Sequence, residues 1–267
     1  MLSTAALLGV IQGLTEFLPV SSSAHLILAR FFFGWEAPEF GLAFDVALHL
    51  GTLAAILVYF WQDVVRMIAA LPAVLTGSSD SYVRLIRLII VATIPAIVAA
   101  LLFNDYVETR LRTPIVAAFA LAVGAVVMLL AERVGARRRD ETTLSTGDAV
   151  LIGIAQAFAL IPGVSRSGST IATAMLLGIR REAAARFTFL LAIPAILAAG
   201  GKEALELRHM HAGADLLTLF AVGALVSAVV GYLTIKYFLR FLASHRLDGF
   251  SYYRLALAAL TFVWLAR

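Results

Sequence analysis

The sequence contains no cysteine, which excludes disulfide-stapled secreted scaffolds, zinc ribbons and thiol-dependent enzymes. Charge is also scarce. Only 14% of the 267 residues are Asp, Glu, Lys or Arg, against roughly 25% in a typical soluble globular chain. Apolar residues reach 61%, where such a chain has roughly 45–50%. One water-soluble core of this size cannot hide so much apolar side chain, so the composition indicates a polytopic integral membrane protein. The formal charge of +4 does not indicate nucleic-acid binding, which needs a basic face with aromatic interleaving. Here the arginines sit in short runs between apolar segments, as they do when they fix membrane orientation. The N-terminal stretch lacks a basic n-region and carries Gln12 and Glu16, so it reads as mature structure and not as a cleaved signal peptide.

A spanning helix needs about 20 apolar residues. Six segments qualify: Gly41–Trp61, Arg84–Phe103, Pro114–Ala131, Phe187–Gly201, Asp215–Lys236 and Phe250–Ala266. Two further apolar regions are interrupted. Leu2–Phe33 is broken by Glu16-Phe-Leu-Pro-Val-Ser-Ser-Ser-Ala-His25, and Asp148–Ile179 by Ile161-Pro-Gly-Val-Ser-Arg-Ser-Gly-Ser-Thr170. Irregular backbone at membrane depth survives only where protein buries it or water reaches it. Each region therefore reads as a re-entrant helix–loop–helix hairpin with halves of about 12–15 residues.

The arginine run Arg133–Arg139 is assigned to the cytoplasm by the positive-inside rule. Alternation from there adds Arg66, Arg84, Arg87, Arg180, Arg181, Arg186, Lys236, Arg240, Arg246 and Arg254 to the same side. Arg30, Arg110, Arg112, Lys202, Arg208 and Arg267 fall outside, and Arg166 lies within the membrane. The first hairpin then opens outward and the second to the cytoplasm.

The two interrupted regions match each other 144 residues apart: Gly9-Val-Ile-Gln12 with Gly153-Ile-Ala-Gln156, and Val20-Ser21-Ser22-Ser23 with Val164-Ser165-Arg166-Ser167. The matched positions include polar ones, which favours a repeat over chance likeness among Ala/Leu-rich helices. The expected fold is all-α, with six spanning helices and two re-entrant hairpins in two inverted-topology repeats. These cover residues 1–131 and 148–267, joined by a cytoplasmic loop over 132–147. Broken helices meeting near the midplane build polar sites in such proteins.

Intramembrane charges are costly, so Glu16 and Arg166 need a reason. Gln12 and Glu16 share a helix face, as do Ser22 and His25, Arg166 and Thr170, and Ser165 and Ser169. A loop of Ser, Arg and Gly feeding a helix N-terminus has the chemistry of an anion site, with Gly163 and Gly168 allowing close backbone approach. Arg166 can grip phosphate oxygens with two parallel bonds. Glu16, Ser22 and His25 supply the parts for proton transfer or nucleophilic attack. Plainer roles remain open at this point. Glu16 and Arg166 can be a buried ion pair locking the hairpins, Ser21–Ser23 an N-cap, and His25 a satisfied buried histidine. Asp45 and His49 can line the site or merely pair, while His209 and His211 read as solvated loop residues.

The segments Gln12-Gly-Leu-Thr-Glu16-Phe-Leu-Pro-Val-Ser-Ser-Ser-Ala-His25 and Pro162-Gly-Val-Ser-Arg-Ser-Gly-Ser-Thr170 resemble the two signatures of the undecaprenyl-diphosphate phosphatases of the bacitracin-resistance type. The similarity runs through Tyr253-Arg254. It implies hydrolysis of undecaprenyl diphosphate to the monophosphate carrier lipid and inorganic phosphate, recycling the carrier for cell-wall synthesis and conferring bacitracin resistance. It also implies a bacterial inner-membrane location, a periplasm-facing site and a divalent cation, Mg²⁺ or Ca²⁺, on Glu16 and Gln12. By position, Glu16, Ser22, His25 and Arg166 match the catalytic residues, and Gln12, Ser21, Ser165, Ser167, Gly168 and Thr170 line the substrate. Ser22 is the expected nucleophile with His25 or Glu16 as base, and attack by His25 or by water stays open. Arg166 and the N–H groups of Gly168–Thr170 are expected to hold the terminal phosphate. The departures are Gln12 as the amide option, Ser23-Ala24 where Thr-Gly is frequent, and His49 where glutamine is common. The expected partners are the polyprenyl diphosphate lipid and the bilayer, with no nucleic acid and a homodimer left open. The alternative function is a transporter or flippase of the monophosphate lipid.

Overall fold

Where the sequence runs apolar the chain is helical, and where Pro, Gly and Ser gather it turns. The computed structural model describes residues 1–76, 78–207 and 213–267, with the backbone alone for 202–207. Arg208, His209 and His211 lie outside the described residues, as does the Lys202 side chain. In chain order the helices are α1 (Leu2–Thr15), α2 (Ser22–Phe33), α3 (Leu42–Tyr59), α4 (Trp61–Ala70), α5 (Ser81–Tyr106) and α6 (Pro114–Val134). After the basic loop come α7 (Thr146–Phe158), α8 (Arg166–Leu176), α9 (Arg181–Leu207), α10 (Ala214–Leu242) and α11 (Asp248–Leu265). Among the described residues the only extended pairing is one β-bridge, Arg139 with Ile179.

The helix ends follow from side chains that accept the orphan N–H groups of the first turn. Asp80 accepts from Tyr82 and Val83 at the start of α5. Thr113 accepts from Val116 ahead of Pro114, which sits at the first helical position of α6. Ser145 and Asp148 form a reciprocal capping box on α7, and Gly34, at φ 66°, ends α2 in the left-handed region.

Among the described residues five helices are long and apolar enough to cross a membrane: α3, α5 with the π-helical turn that extends it to Leu111, α6, α9 over Arg181–Gly201, and α10. The sixth expected span, Phe250–Ala266, is helix α11. It is 18 residues long, but Asp248, Tyr252, Tyr253 and Arg254 in its first two turns leave it less apolar than the other five. The interrupted regions fold as two short-helix pairs, α1–α2 and α7–α8. At 14 residues α1 is the longest of the four. It reaches about 21 Å, short of the roughly 30 Å hydrocarbon core. Helix α4 was not anticipated. It has no buried residue and turns Trp61, Val65 and Ile68 outward.

Packing crosses between the halves of the sequence. Helix α1 lies on α10, which also packs on α3; α7 lies on α5, α3 on α9, and α6 on α11. The seams depend on small residues, as lipid-embedded helix contacts do. A Cβ added at Gly9 would sit 2.7 Å from the Gly223 carbonyl of α10, and one at Gly153 would sit 2.5 Å from the Ala92 carbonyl of α5. At the far end of α6, the buried Glu132 carboxylate accepts from Arg137 at 2.6 Å, from Arg181 at 2.6 and 2.5 Å, and from the Leu247 N–H at 2.9 Å. That one side chain ties α6, α9 and the α10–α11 turn together.

Arg254 corrects a sequence expectation. Its charge suggested a cytoplasmic position, yet it is fully buried. Its guanidinium donates to the carbonyls of Leu121, Ala120, Pro19, Gly163 and Val164 at 2.9–3.2 Å. Two of those groups belong to α6, and the other three belong to the tips of the two short-helix pairs.

Candidate active site

The tips of the two pairs have the same local geometry. Ser21 (φ 72°, ψ 99°) and Ser165 (φ 74°, ψ 113°) both occupy the positive-φ region that residues with a side chain rarely adopt. Each caps the helix that follows, Ser21 accepting from the Ala24 N–H at 3.4 Å and Ser165 from the Gly168 N–H at 3.1 Å. Each also lies 3.2 Å from the hydroxyl two residues on, Ser23 or Ser167. Strained backbone of this kind persists where the surroundings over-determine it, commonly at functional sites. The surroundings here are the Arg254 guanidinium and the Ser167 hydroxyl, which donates to the Leu18 carbonyl at 2.9 Å.

With the tips pinned together, α1 aims Glu16 at the first residues of α2 and α8. The Glu16 carboxylate is buried and receives donors from three directions. Gln12 donates at 3.0 Å and the Ser22 hydroxyl at 2.6 Å to one oxygen, while Arg166 donates to the other. His49 Nε2 approaches to 3.5 Å. A carboxylate 2.6 Å from a serine hydroxyl can take its proton, and the guanidinium beside it can offer its remaining donors to an anion.

Glu16, Ser22, His49 and Arg166 line the inner end of a cavity of about 680 Å³. Its walls are apolar, including Ala96, Ile97 and Ala100 of α5 and Ala195, Ile196 and Ala199 of α9. Its mouth carries Asp45, Arg112, Asp105 and Glu108. The shape suits an amphiphile with an anionic head at the deep end.

The other expected residues fall into three groups. Ser21 and Ser165 line the cavity at the two caps. Gln12, Ser167, Gly168 and Thr170 stand behind it. Gln12 is fully buried and its Oε1 has no hydrogen-bond partner among the described residues. The Thr170 hydroxyl donates to the Arg166 carbonyl at 2.7 Å and lies 2.9 Å from the Thr188 hydroxyl. The expectation that the Gly168–Thr170 N–H groups face a phosphate meets a simple obstacle. Gly168 donates to Ser165 Oγ, and Ser169 donates to the Ser165 carbonyl.

His25 forms the third group. It points away from the cavity, with Nδ1 2.7 Å from the Ser21 carbonyl and Nε2 2.7 Å from the Tyr253 hydroxyl. Because a carbonyl can only accept, Nδ1 carries a proton in this arrangement. The ring also stacks on Tyr253, with centroids 5.6 Å apart. Glu16, and not His25, is therefore the titratable group in contact with Ser22.

Sequence reasoning missed Arg30, Arg112 and Arg254. A lone arginine in an apolar helix was the available signal for Arg254, the same one that exposed Arg166. Asp45 and His49 were noticed without a decided role. The cavity brings both to its lining, with Asp45 held by Arg30 and Arg112.

Against known proteins, the family profile described as bacitracin resistance protein BacA matches residues 5–260. The chain belongs to the BacA family. Among its relatives in that family, the undecaprenyl-diphosphatase of Rubrobacter xylanophilus is 50% identical over 259 residues, covering 96% of this chain and 95% of that one. The undecaprenyl-diphosphatase of Desulforudis audaxviator is 48% identical over 251 residues, covering 94% and 92%. That of Alcanivorax borkumensis is 45% identical over 263 residues, covering 98% of each.

Proposed function

We propose that this multi-pass membrane protein hydrolyses undecaprenyl diphosphate to undecaprenyl phosphate and inorganic phosphate. Its BacA relatives bear that activity in their names. The observation in the fold that carries the reading is the Ser22 hydroxyl 2.6 Å from Glu16, with Arg166 on the other oxygen, at the deep end of an apolar-walled cavity. In this reading Arg166 grips the terminal phosphate and Glu16 takes the Ser22 proton as Oγ attacks that phosphorus. The bond to the bridging oxygen breaks and undecaprenyl phosphate leaves. Water then hydrolyses the phosphoserine and releases inorganic phosphate. Arg166 stabilises the in-line transition state in both steps.

A divalent cation fits this donor set. Mg²⁺ commonly binds one or two protein oxygens together with substrate phosphates and water. The Glu16 carboxylate and the orphaned Gln12 Oε1 would hold it, and its chemistry there would be to neutralise phosphate charge. The wider reading is six spans and two re-entrant hairpins in inverted repeats, in a bacterial inner membrane with the cavity open to the periplasm. Three features support it: the matched Ser21 and Ser165 caps, the matched Gly9 and Gly153 seams, and the run of α6 from the cavity mouth to the basic Arg133–Arg139 loop.

Phosphate release from farnesyl or undecaprenyl diphosphate in detergent, with and without EDTA, tests the proposal. Cation-dependent release is expected, and Ser22→Ala should abolish it. A folded, monodisperse sample that released nothing would sink the phosphatase. The matched tips also suit transport of the monophosphate lipid. Lipid movement in proteoliposomes by a Ser22→Ala protein would favour that second reading.

A further inference from the structure

The mouth of the cavity holds a second cationic group that the phosphatase chemistry above does not use. Asp45 is buried and shared by two guanidiniums: Arg30 donates to it through NH1 and NH2, and Arg112 through NH2 alone at 2.6 Å. Arg112 lines the cavity and Arg30 does not. The pair of arginines leaves one positive charge in excess at this carboxylate. Arg112 can therefore turn from Asp45 toward an anion without stranding a buried charge, because Arg30 remains bonded to both carboxylate oxygens. Arg112 also has donors to spare, since its bond to Asp45 is its only hydrogen bond among the described residues.

Position relates this group to the reacting end. Asp45 and His49 are four residues apart on α3, about 6 Å along the axis, and His49 Nε2 lies 3.5 Å from Glu16. A polar strip therefore runs from Arg166 and Glu16 past His49 to Asp45 and Arg112. The π-helical turn Val107–Leu111 at the end of α5 presents Arg112 to that strip, and such turns are frequent at functional sites. Asp105 and Glu108 on the same rim carry the opposite sign, but Asn104 already donates to the Glu108 carboxylate at 2.5 Å.

We propose that Arg112 binds the lipid-linked phosphate of the diphosphate, while Arg166 holds the terminal one. This rests on the phosphatase reading of the cavity. Arg112 then discriminates prenyl diphosphate from inorganic phosphate and retains the prenyl monophosphate product after the terminal phosphate has gone.

The test compares Arg112→Gln and Arg112→Lys with the unaltered protein in detergent. It reads kcat and KM for farnesyl diphosphate, and direct calorimetric binding of farnesyl phosphate and of inorganic phosphate. Losing a charge-assisted contact should raise KM and weaken farnesyl phosphate binding by about tenfold or more, with kcat and inorganic phosphate binding changed far less. Arg112→Lys keeps a charge opposite Asp45 but loses the fork. It should raise KM by about threefold or more, and it decides the matter if the glutamine variant is not monodisperse. Unchanged KM and farnesyl phosphate binding in the variants would overturn the assignment, and so would a fall in kcat alone. If the unaltered protein releases no phosphate yet binds farnesyl phosphate in an Arg112-dependent way, the subsite stands and the phosphatase reading fails.

Discussion

Glu16 receives Gln12, Ser22 and Arg166 at once, with His49 close by. A carboxylate so enclosed depends on its cation, because removing one partner of a buried pair strands the other. Arg166→Ala should therefore reduce kcat/KM by about 10²–10³, the loss typical of a transition-state donor. Arg166→Lys should recover little of it, since a point charge cannot reproduce the planar fork. Steady-state phosphate release checks both. Gln12 and Arg166 were legible from the sequence because polar groups are costly in a membrane. The role of His25 was not, because helical spacing puts it on the Ser22 face without showing that Tyr253 holds its ring away from the cavity.

The helix seams and the Arg254 clasp belong to the scale of elements. Gly153 packs α7 against α5 so closely that a branched side chain has nowhere to go. Gly153→Val should lower stability by about 1–3 kcal/mol, the usual cost of overpacking. Gly249, where an added Cβ meets nothing within 4 Å, provides the control: Gly249→Ala should melt like the unaltered protein in detergent. Arg254→Met keeps most of the side-chain volume but orphans the carbonyls of Pro19, Gly163 and Val164 together. Each buried orphan costs about 1–3 kcal/mol. A lower melting temperature and a loss of turnover should therefore appear in the same variant, with circular dichroism showing the helices retained. Ten of the eleven described helices coincide with segments read from the sequence, six as expected spans and four as hairpin halves; α4 escaped because ten amphipathic residues resemble neither a span nor a loop.

At the scale of the whole molecule, the two short-helix pairs meet at their tips, and the proposed orientation opens the cavity beside them to the outside. The absence of cysteine makes this directly testable, since any introduced thiol is the only one present. A Glu36→Cys variant should react with a membrane-impermeant maleimide added to intact cells with a permeable outer membrane. An Arg138→Cys variant should react only after the inner membrane is opened. Equal labelling of both from outside would overturn the proposed orientation and the outward-facing cavity with it.

The sequence alone determined that the chain is helical and membrane-embedded, because composition and run length answer to the bilayer and not to tertiary contacts. It also determined where the helices break, since the Pro-Val-Ser and Pro-Gly-Val-Ser turns are local chemistry. What only the tertiary structure decided is which polar groups meet. Arg254 belongs to the hairpin tips and not to a basic loop, Glu16 pairs with Ser22 while His25 turns to Tyr253, and Arg112 shares Asp45 with Arg30. Those encounters join residues up to 235 positions apart. Spacing along one helix fixes a face, but the partner facing it is set by the packing of all the others.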